Sequence, residues 1–197
     1  MNRKVVKVII LMMMIVVSFI GCYAYLSSRN AGVTSDQSVE NNVDEESTPV
    51  QELLAKAKYK EYPTTPVQVV KYYNEITSCF YNETYSDEEL EELAHLAWDL
   101  LDADLAANMT WDQYMSQLRD DIFTFKSGHI TIYKSELTPA TDVEYFEQDG
   151  YSCARLYCIY TLKSGTKYVT SREVFILRKD EDGHWKIFGF ALANEDE

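Results

Sequence analysis

Apolar positions along this chain follow three successive rhythms, and each predicts a different kind of element. Residues 8–26, VIILMMMIVVSFIGCYAYL, carry no charge at all. A helix of that length, rising about 1.5 Å per residue, matches the hydrocarbon thickness of a bilayer. From Thr65 to about Ser127 apolar residues recur at intervals of three and four, which places them on one face of an α-helix. Beyond Gly128 they recur at every second position, as in a strand with one buried face.

Start signals divide the helical stretch. Thr48 as a cap, Pro49 at the first helical position and Gln51 three residues after the cap predict a short helix to about Lys58. Thr65 and Pro66 repeat the signal ahead of Val69, Tyr73, Ile76 and Phe80, which share one stripe. Ser86 and Glu89 form a capping box before Leu90, Leu93, Ala97, Leu100 and Leu101, with an acidic opposite face. Thr110 and Gln113 open a third helix that buries Trp111, Tyr114, Met115, Leu118, Ile122 and Phe125 and stops at Ser127 and Gly128. Strands are then predicted over 129–135, 143–147, 151–162, 167–179 and 185–192. Turn signals at Asp149 and Gly150, Ser164 and Gly165, and Asp182 and Gly183 join them as successive hairpins. In the third strand Ala154, Leu156, Cys158, Tyr160 and Leu162 share one face, and Cys153, Arg155, Tyr157 and Thr161 the other. Helices followed by antiparallel strands define an α+β fold with helices packed on the sheet.

Residues 27–48 are rich in Ser, Asn, Asp and Glu and hold too little apolar surface to offset their ordering entropy. They read as a flexible tether with a span on the order of 25 Å. The chain thus divides into an anchor or signal segment (1–26), an acidic and polar linker (27–48), a short helix (49–60), an α+β domain (61–193) and an acidic tail (194–197).

Charge sets the orientation. Arg3, Lys4 and Lys7 precede the apolar run, and all 32 acidic residues follow it. The basic flank stays in the cytoplasm by the positive-inside tendency, so the domain is expected outside a cell membrane that it spans once. Tyr23 and Tyr25 fall at the outer interface. Phe19, Ile20, Gly21 and Cys22 resemble a lipoprotein cleavage box, in which Cys22 would carry the lipid. Phe19 replaces the usual leucine there and the apolar run continues past the cysteine, so a spanning anchor is preferred. Secretion after cleavage is the third alternative, and all three export the domain. The net charge of −14 repels phosphate backbones and excludes nucleic acid as a partner.

The element order, and the ending EVFILRKDEDGHWKIFGF in particular, resemble the nuclear-transport-factor-2-like or cystatin-like cone superfamily. That resemblance implies a curved sheet with a pocket between it and the helices. A nearer resemblance is carried by YPTTPVQVVKYYNEITSCFYNETYSDEELEELA, DVEYFEQDGYSCARLYCIYTL and the same ending. These are similar to an uncharacterised family of small membrane-anchored proteins from Gram-positive anaerobic bacteria, which supplies no catalytic residues to carry over.

Candidate chemistry is thin. A pocket of this kind would draw its lining from Tyr73, Trp98, Trp111, Tyr114, Tyr160 and Trp185, side chains that serve equally well as core filling. His129, at the start of a strand, and Glu173 are the candidate acid/base groups. His95 has Glu91 and Asp99 one turn away, but a zinc site needs a further nitrogen or sulfur ligand. His184 follows a turn and is expected to be exposed. Cys153 and Cys158 point to opposite faces of one strand and do not pair, and with Cys79 they read as buried thiols. Asn82 and Asn108 fit glycosylation sequons without consequence in a bacterial protein. No cofactor or metal motif is present. The expected function is a tethered binding or interaction module for a small molecule or envelope protein, acting through its pocket or sheet face. An isomerase, dehydratase or hydrolase and an acidic protective or immunity-like surface protein are the alternatives.

Overall fold

The computed structural model describes residues 47–193. The apolar run 8–26, Cys22, nearly all of the tether and the tail 194–197 lie outside the described residues. Among the described residues no helix is long and apolar enough to cross a membrane.

Helices start where capping chemistry directs them. Helix α1 (Pro49–Ala57), α2 (Pro66–Asn82), α3 (Asp87–Trp98) and α5 (Trp111–Ser127) each open on a reciprocal capping box, built on Thr48 and Gln51, Thr65 and Gln68, Ser86 and Glu89, and Thr110 and Gln113. In each box the cap hydroxyl accepts the third residue's N–H while that residue's side chain accepts the cap's own N–H. Two otherwise unpaired donors are satisfied at once, and each cap contributes about 1 kcal/mol. One further turn of helix, α4 (Ala103–Ala106), lies between α3 and α5. The periodicity misses it because four residues are too few to show a repeat.

The sheet contains β1 (Ile130–Leu137), β2 (Glu144–Gln148), β3 (Tyr151–Ser164), β4 (Lys167–Lys179) and β5 (Trp185–Leu192), paired antiparallel in the order β1-β3-β4-β5. The expectation of successive hairpins fails at one place. β1 and β2 do not pair with each other; both lie on one edge of β3, β1 along its C-terminal half and β2 along its N-terminal half. Together they form one interrupted edge strand. Thr138 still continues the ladder, donating its N–H to the Tyr157 carbonyl at 2.9 Å and accepting the Tyr157 N–H on Oγ1 at 2.8 Å. Pro139 then has no N–H to offer, and a 3₁₀ turn over Ala140–Asp142 carries the chain to β2. The three later connections are hairpins. The first turns on Asp149 (φ 53°) and Gly150 (φ 84°), the pair of left-handed residues that suits the twist of two-residue hairpins.

The core sits between the helices and one sheet face. Ala154, Leu156, Cys158, Tyr160 and Leu162 of β3 are all buried there, beside Phe175 and Leu177 of β4 and Ile187 of β5. Val69, Val70, Ile76 and Phe80 of α2 and Leu93 of α3 join the same cluster.

Two polar clamps hold helices to strands. The Asn82 side chain bonds both the carbonyl and the N–H of Ile132, each at 2.8 Å, and so fastens the end of α2 to β1. Asp102, the N-cap of α4, receives the Arg178 guanidinium of β4 through both carboxylate oxygens, and Arg178 also reaches Asp104 at 2.8 Å. Beside this ion pair the Ile187 N–H meets the Leu100 carbonyl at 2.8 Å and the Asp102 N–H meets the Ile187 carbonyl at 2.9 Å. The segment leading into α4 is thereby held along β5.

Candidate functional site

The helices do not seal completely onto the sheet. A cavity of about 210 Å³ remains, lined by α2, the segment from Leu101 to Met109, α5 and the inner face of the strands. From α2 come Tyr73, Thr77, Phe80 and Tyr81; from α5 come Tyr114, Gln117, Leu118, Asp121, Thr124 and Phe125. Each set follows helical spacing, so one face of each helix supplies a wall. Ile132, Tyr160, Leu162, Glu173 and Phe190 form the sheet side, and Leu101, Leu105 and Met109 complete the lining. Rings stack within these walls, Tyr81 on Phe125 at 4.1 Å and Phe175 on Phe190 at 5.5 Å, with Tyr73 tilted against Phe190 at 5.8 Å.

Glu173 is the exceptional residue. It is 4% exposed, and it makes no side-chain hydrogen bond with any described residue. Every fully enclosed side-chain oxygen or nitrogen among the described residues has a partner, so the Glu173 carboxyl faces the open cavity. Burial pushes it up to about 7, because the charged form has lost water and gained no counter-charge. Asp121, on the α5 wall, is pushed up to about 6, first by burial and then by neighbouring Asp120. The hydroxyls of Tyr73, Tyr81 and Tyr114 also make no hydrogen bond with a described residue. All three are raised above the ordinary tyrosine range, chiefly by burial, and for Tyr73 and Tyr81 both carboxylates add to the effect.

Tyr160 is differently held. Its hydroxyl donates to the Asn74 side-chain oxygen, and the Asn74 amide donates to Cys158 Sγ at 3.3 Å. This buried triangle satisfies Asn74 and leaves the ring of Tyr160 as cavity wall. Burial raises the Cys158 thiol to about 11, so it is no nucleophile as it stands.

Of the six aromatic residues expected to line a pocket, Tyr73, Tyr114 and Tyr160 do so, and Trp98, Trp111 and Trp185 do not. Trp98 and Trp111 pack edge-on to each other at 5.6 Å, outside the cavity lining. Trp185 is buried in β5, where its carbonyl accepts the Tyr62 hydroxyl at 2.9 Å and its ring meets Tyr145. His129 is exposed and outside the strand. Gly128 keeps a right-handed conformation, so the reversal that ends α5 falls on His129 at φ 50°, with β1 starting one residue later. His95 gathers no carboxylates; it stacks flat on Trp111 at 4.1 Å. Among the described residues Asp180, Asp182 and His184 bring possible ligand atoms within 4.8 Å of one another. That trio sits on the solvent-facing β4–β5 turn, where Asp180 already accepts the His184 N–H.

Sequence reasoning did not find Tyr81 or Asp121. A signal was available for both: Asp121 interrupts the stripe from Tyr114 through Leu118 to Phe125, and Tyr81 stands four residues after Thr77 and eight after Tyr73 on the wall face of α2.

The described residues are thus an α+β domain with a carboxyl-bearing aromatic cavity between helices and sheet. The chain belongs to the DUF6715 family, described as a domain of unknown function, which it matches over residues 1–190. No curated protein matches it. Among solved structures, the periplasmic domain of DotI is similar over 68% of this chain and 99% of its own length, at 12% identity and a TM-score of 0.37. A likeness that distant carries no functional argument.

Proposed function

We propose that this chain is a membrane-tethered, extracytoplasmic binding domain whose cavity takes a small ligand. The observation that carries this reading is the Glu173 carboxyl, buried without a partner among the described residues and facing an aromatic cavity. An unpartnered buried carboxyl costs stability, so its presence at this position favours a role that uses it. Ligand sites are typically apolar hollows with a few convergent polar groups, and Glu173, Asp121 and three tyrosine hydroxyls are such groups. A cavity of about 150 Å³ already admits benzene, and this one is larger at about 210 Å³. The basic flank and uncharged run of residues 1–26 support the single-pass topology with the domain outside, with lipidation at Cys22 as the rival attachment. The helix-on-sheet order supports the cone architecture.

The test is a titration of the full chain in nanodiscs with small aromatic fragments, following the side-chain resonances of Tyr114 and Phe190. Saturable shifts confined to the cavity lining are expected, and Met109→Trp, which fills the rim, abolishes them. If no fragment gives saturable shifts there, the reading falls.

Glu173 also favours a second reading, in which it carries protons in an isomerase-like or hydrolase-like reaction, since a group titrating near neutrality suits acid/base work. Turnover of a cavity-bound compound that Glu173→Gln abolishes without loss of binding would establish it. Equal turnover in the variant would remove it.

A further inference from the structure

We propose that the cavity selects organic cations, an amine or a quaternary ammonium group carried on a small apolar body. This deepens the binding reading above and rests on it.

Among the described residues the lining contains no Lys, Arg or His. The titratable groups that face Glu173 are Tyr73 and Tyr81 on α2, Tyr114 and Asp121 on α5, and Cys158 and Tyr160 on β3. Each is neutral or negative, so none neutralises Glu173 when it ionises. A cation inside the cavity supplies the missing counter-charge, and it does so where water no longer screens the pair. An anion there meets two carboxyls and no compensating charge.

The walls suit the same ligand. Tyr73, Tyr81, Tyr114 and Phe190 line the cavity together with Glu173, and aromatic enclosures attract ammonium groups through the ring quadrupole. Three tyrosine hydroxyls without a partner among the described residues can accept N–H donors. The surrounding field has the same sign, since the chain carries a net charge of −14, and an acidic protein raises the local concentration of cations. An apolar body suits the rest of the lining, which is mostly hydrocarbon, Leu101, Leu105, Leu118, Phe125 and Leu162 among it, with Thr77, Gln117 and Thr124 as its further polar side chains.

The experiment uses three compounds of one shape and different charge on the full chain in nanodiscs of zwitterionic lipid: benzylamine, benzyl alcohol and benzoate. By calorimetry at pH 8, benzylamine is expected to bind at least about tenfold tighter than benzyl alcohol, the ratio of one charge-assisted hydrogen bond over a neutral one. The advantage shrinks toward pH 5, where Glu173 holds a proton, and Glu173→Gln brings the benzylamine and benzyl alcohol affinities together. Should that variant fail to fold, the wild type suffices: benzylamine binding at pH 7 releases protons, read from the dependence of the heat on the buffer's ionisation enthalpy. Binding of benzyl alcohol or benzoate as tight as benzylamine at pH 8, or benzylamine binding without proton release, overturns the proposal and leaves the cavity a binding site. Saturable binding of none of the three overturns the binding reading itself.

Discussion

Glu173 binds its proton at about 7 in the folded chain, against an ordinary value of 4.5. The native state therefore holds more protons than the unfolded chain between those values, and stability falls as the pH rises across that window. The loss is absent below about 4.5 and complete above about 7, where it is on the order of 3 kcal/mol. Glu173→Gln is expected to be more stable than the wild type at pH 8 and nearly equal to it at pH 4.5, measured by urea unfolding at both. A constant difference between the two pH values would show that the carboxyl is solvated. Asn82 acts at the same scale with the opposite sign. Asn82→Ala leaves the Ile132 N–H and carbonyl without their side-chain partner, at a cost of about 1–3 kcal/mol. Faster hydrogen exchange at the Ile132 amide, together with a lower unfolding midpoint, is the expected pair of results. Neither role was legible in the sequence beyond the naming of Glu173 as a candidate: Asn82 read as an idle sequon, because its partner lies fifty positions away on β1.

Elements show a sharper division. The starts of α1, α2, α3 and α5 were legible because a capping box involves residues three apart, and its energetics are complete within one turn. The turns at Asp149 and Gly150 were legible for the same reason. The pairing of β1 and β2 with one edge of β3 was not, since alternation says which face is buried and nothing about which neighbour is bonded. Helix α4 shows how a four-residue element persists without periodicity. It is held by the Asp102–Arg178 pair, whose side chains are 3% and 13% exposed, and by the backbone bonds to Ile187. Asp102→Ala leaves the guanidinium with the exposed Asp104 as its one carboxylate among the described residues and is expected to cost about 3–5 kcal/mol, the usual result of breaking a buried pair from one side. The same change should speed exchange of the Ile187 amide, which is bonded to the Leu100 carbonyl. Unchanged exchange there would mean that the backbone bridge alone retains α4.

At the scale of the molecule, burial governs the reactivity of the thiols. Cys79, Cys153 and Cys158 are free and buried, and burial raises each of them, Cys79 and Cys158 to about 11. Peptide mapping after alkylation under native conditions should find these three unmodified, and all three modified in urea, with the native rate following global unfolding. Rapid native labelling of Cys158 would place it in a site that opens. The core it belongs to depends on large side chains packed from several elements. Phe175→Ala, at a fully enclosed position, is accordingly expected to cost about 3–5 kcal/mol by calorimetry.

By itself the sequence determined whatever closes over short distances: the uncharged run of 8–26, the charge asymmetry around it, the capped helix starts, the turns, and the buried face of β3. Those follow from local hydrogen bonds and from the period of apolar residues, which need no partner to be read. Tertiary structure alone decided that Tyr73, Tyr81, Tyr114 and Tyr160 surround a hollow while Trp98, Trp111 and Trp185 pack elsewhere, and that Glu173 faces that hollow without a partner among the described residues. An aromatic stripe looks the same whether it meets side chains or empty space. A carboxyl in a strand likewise gains its meaning only from what α2 and α5 bring, or fail to bring, within reach of it.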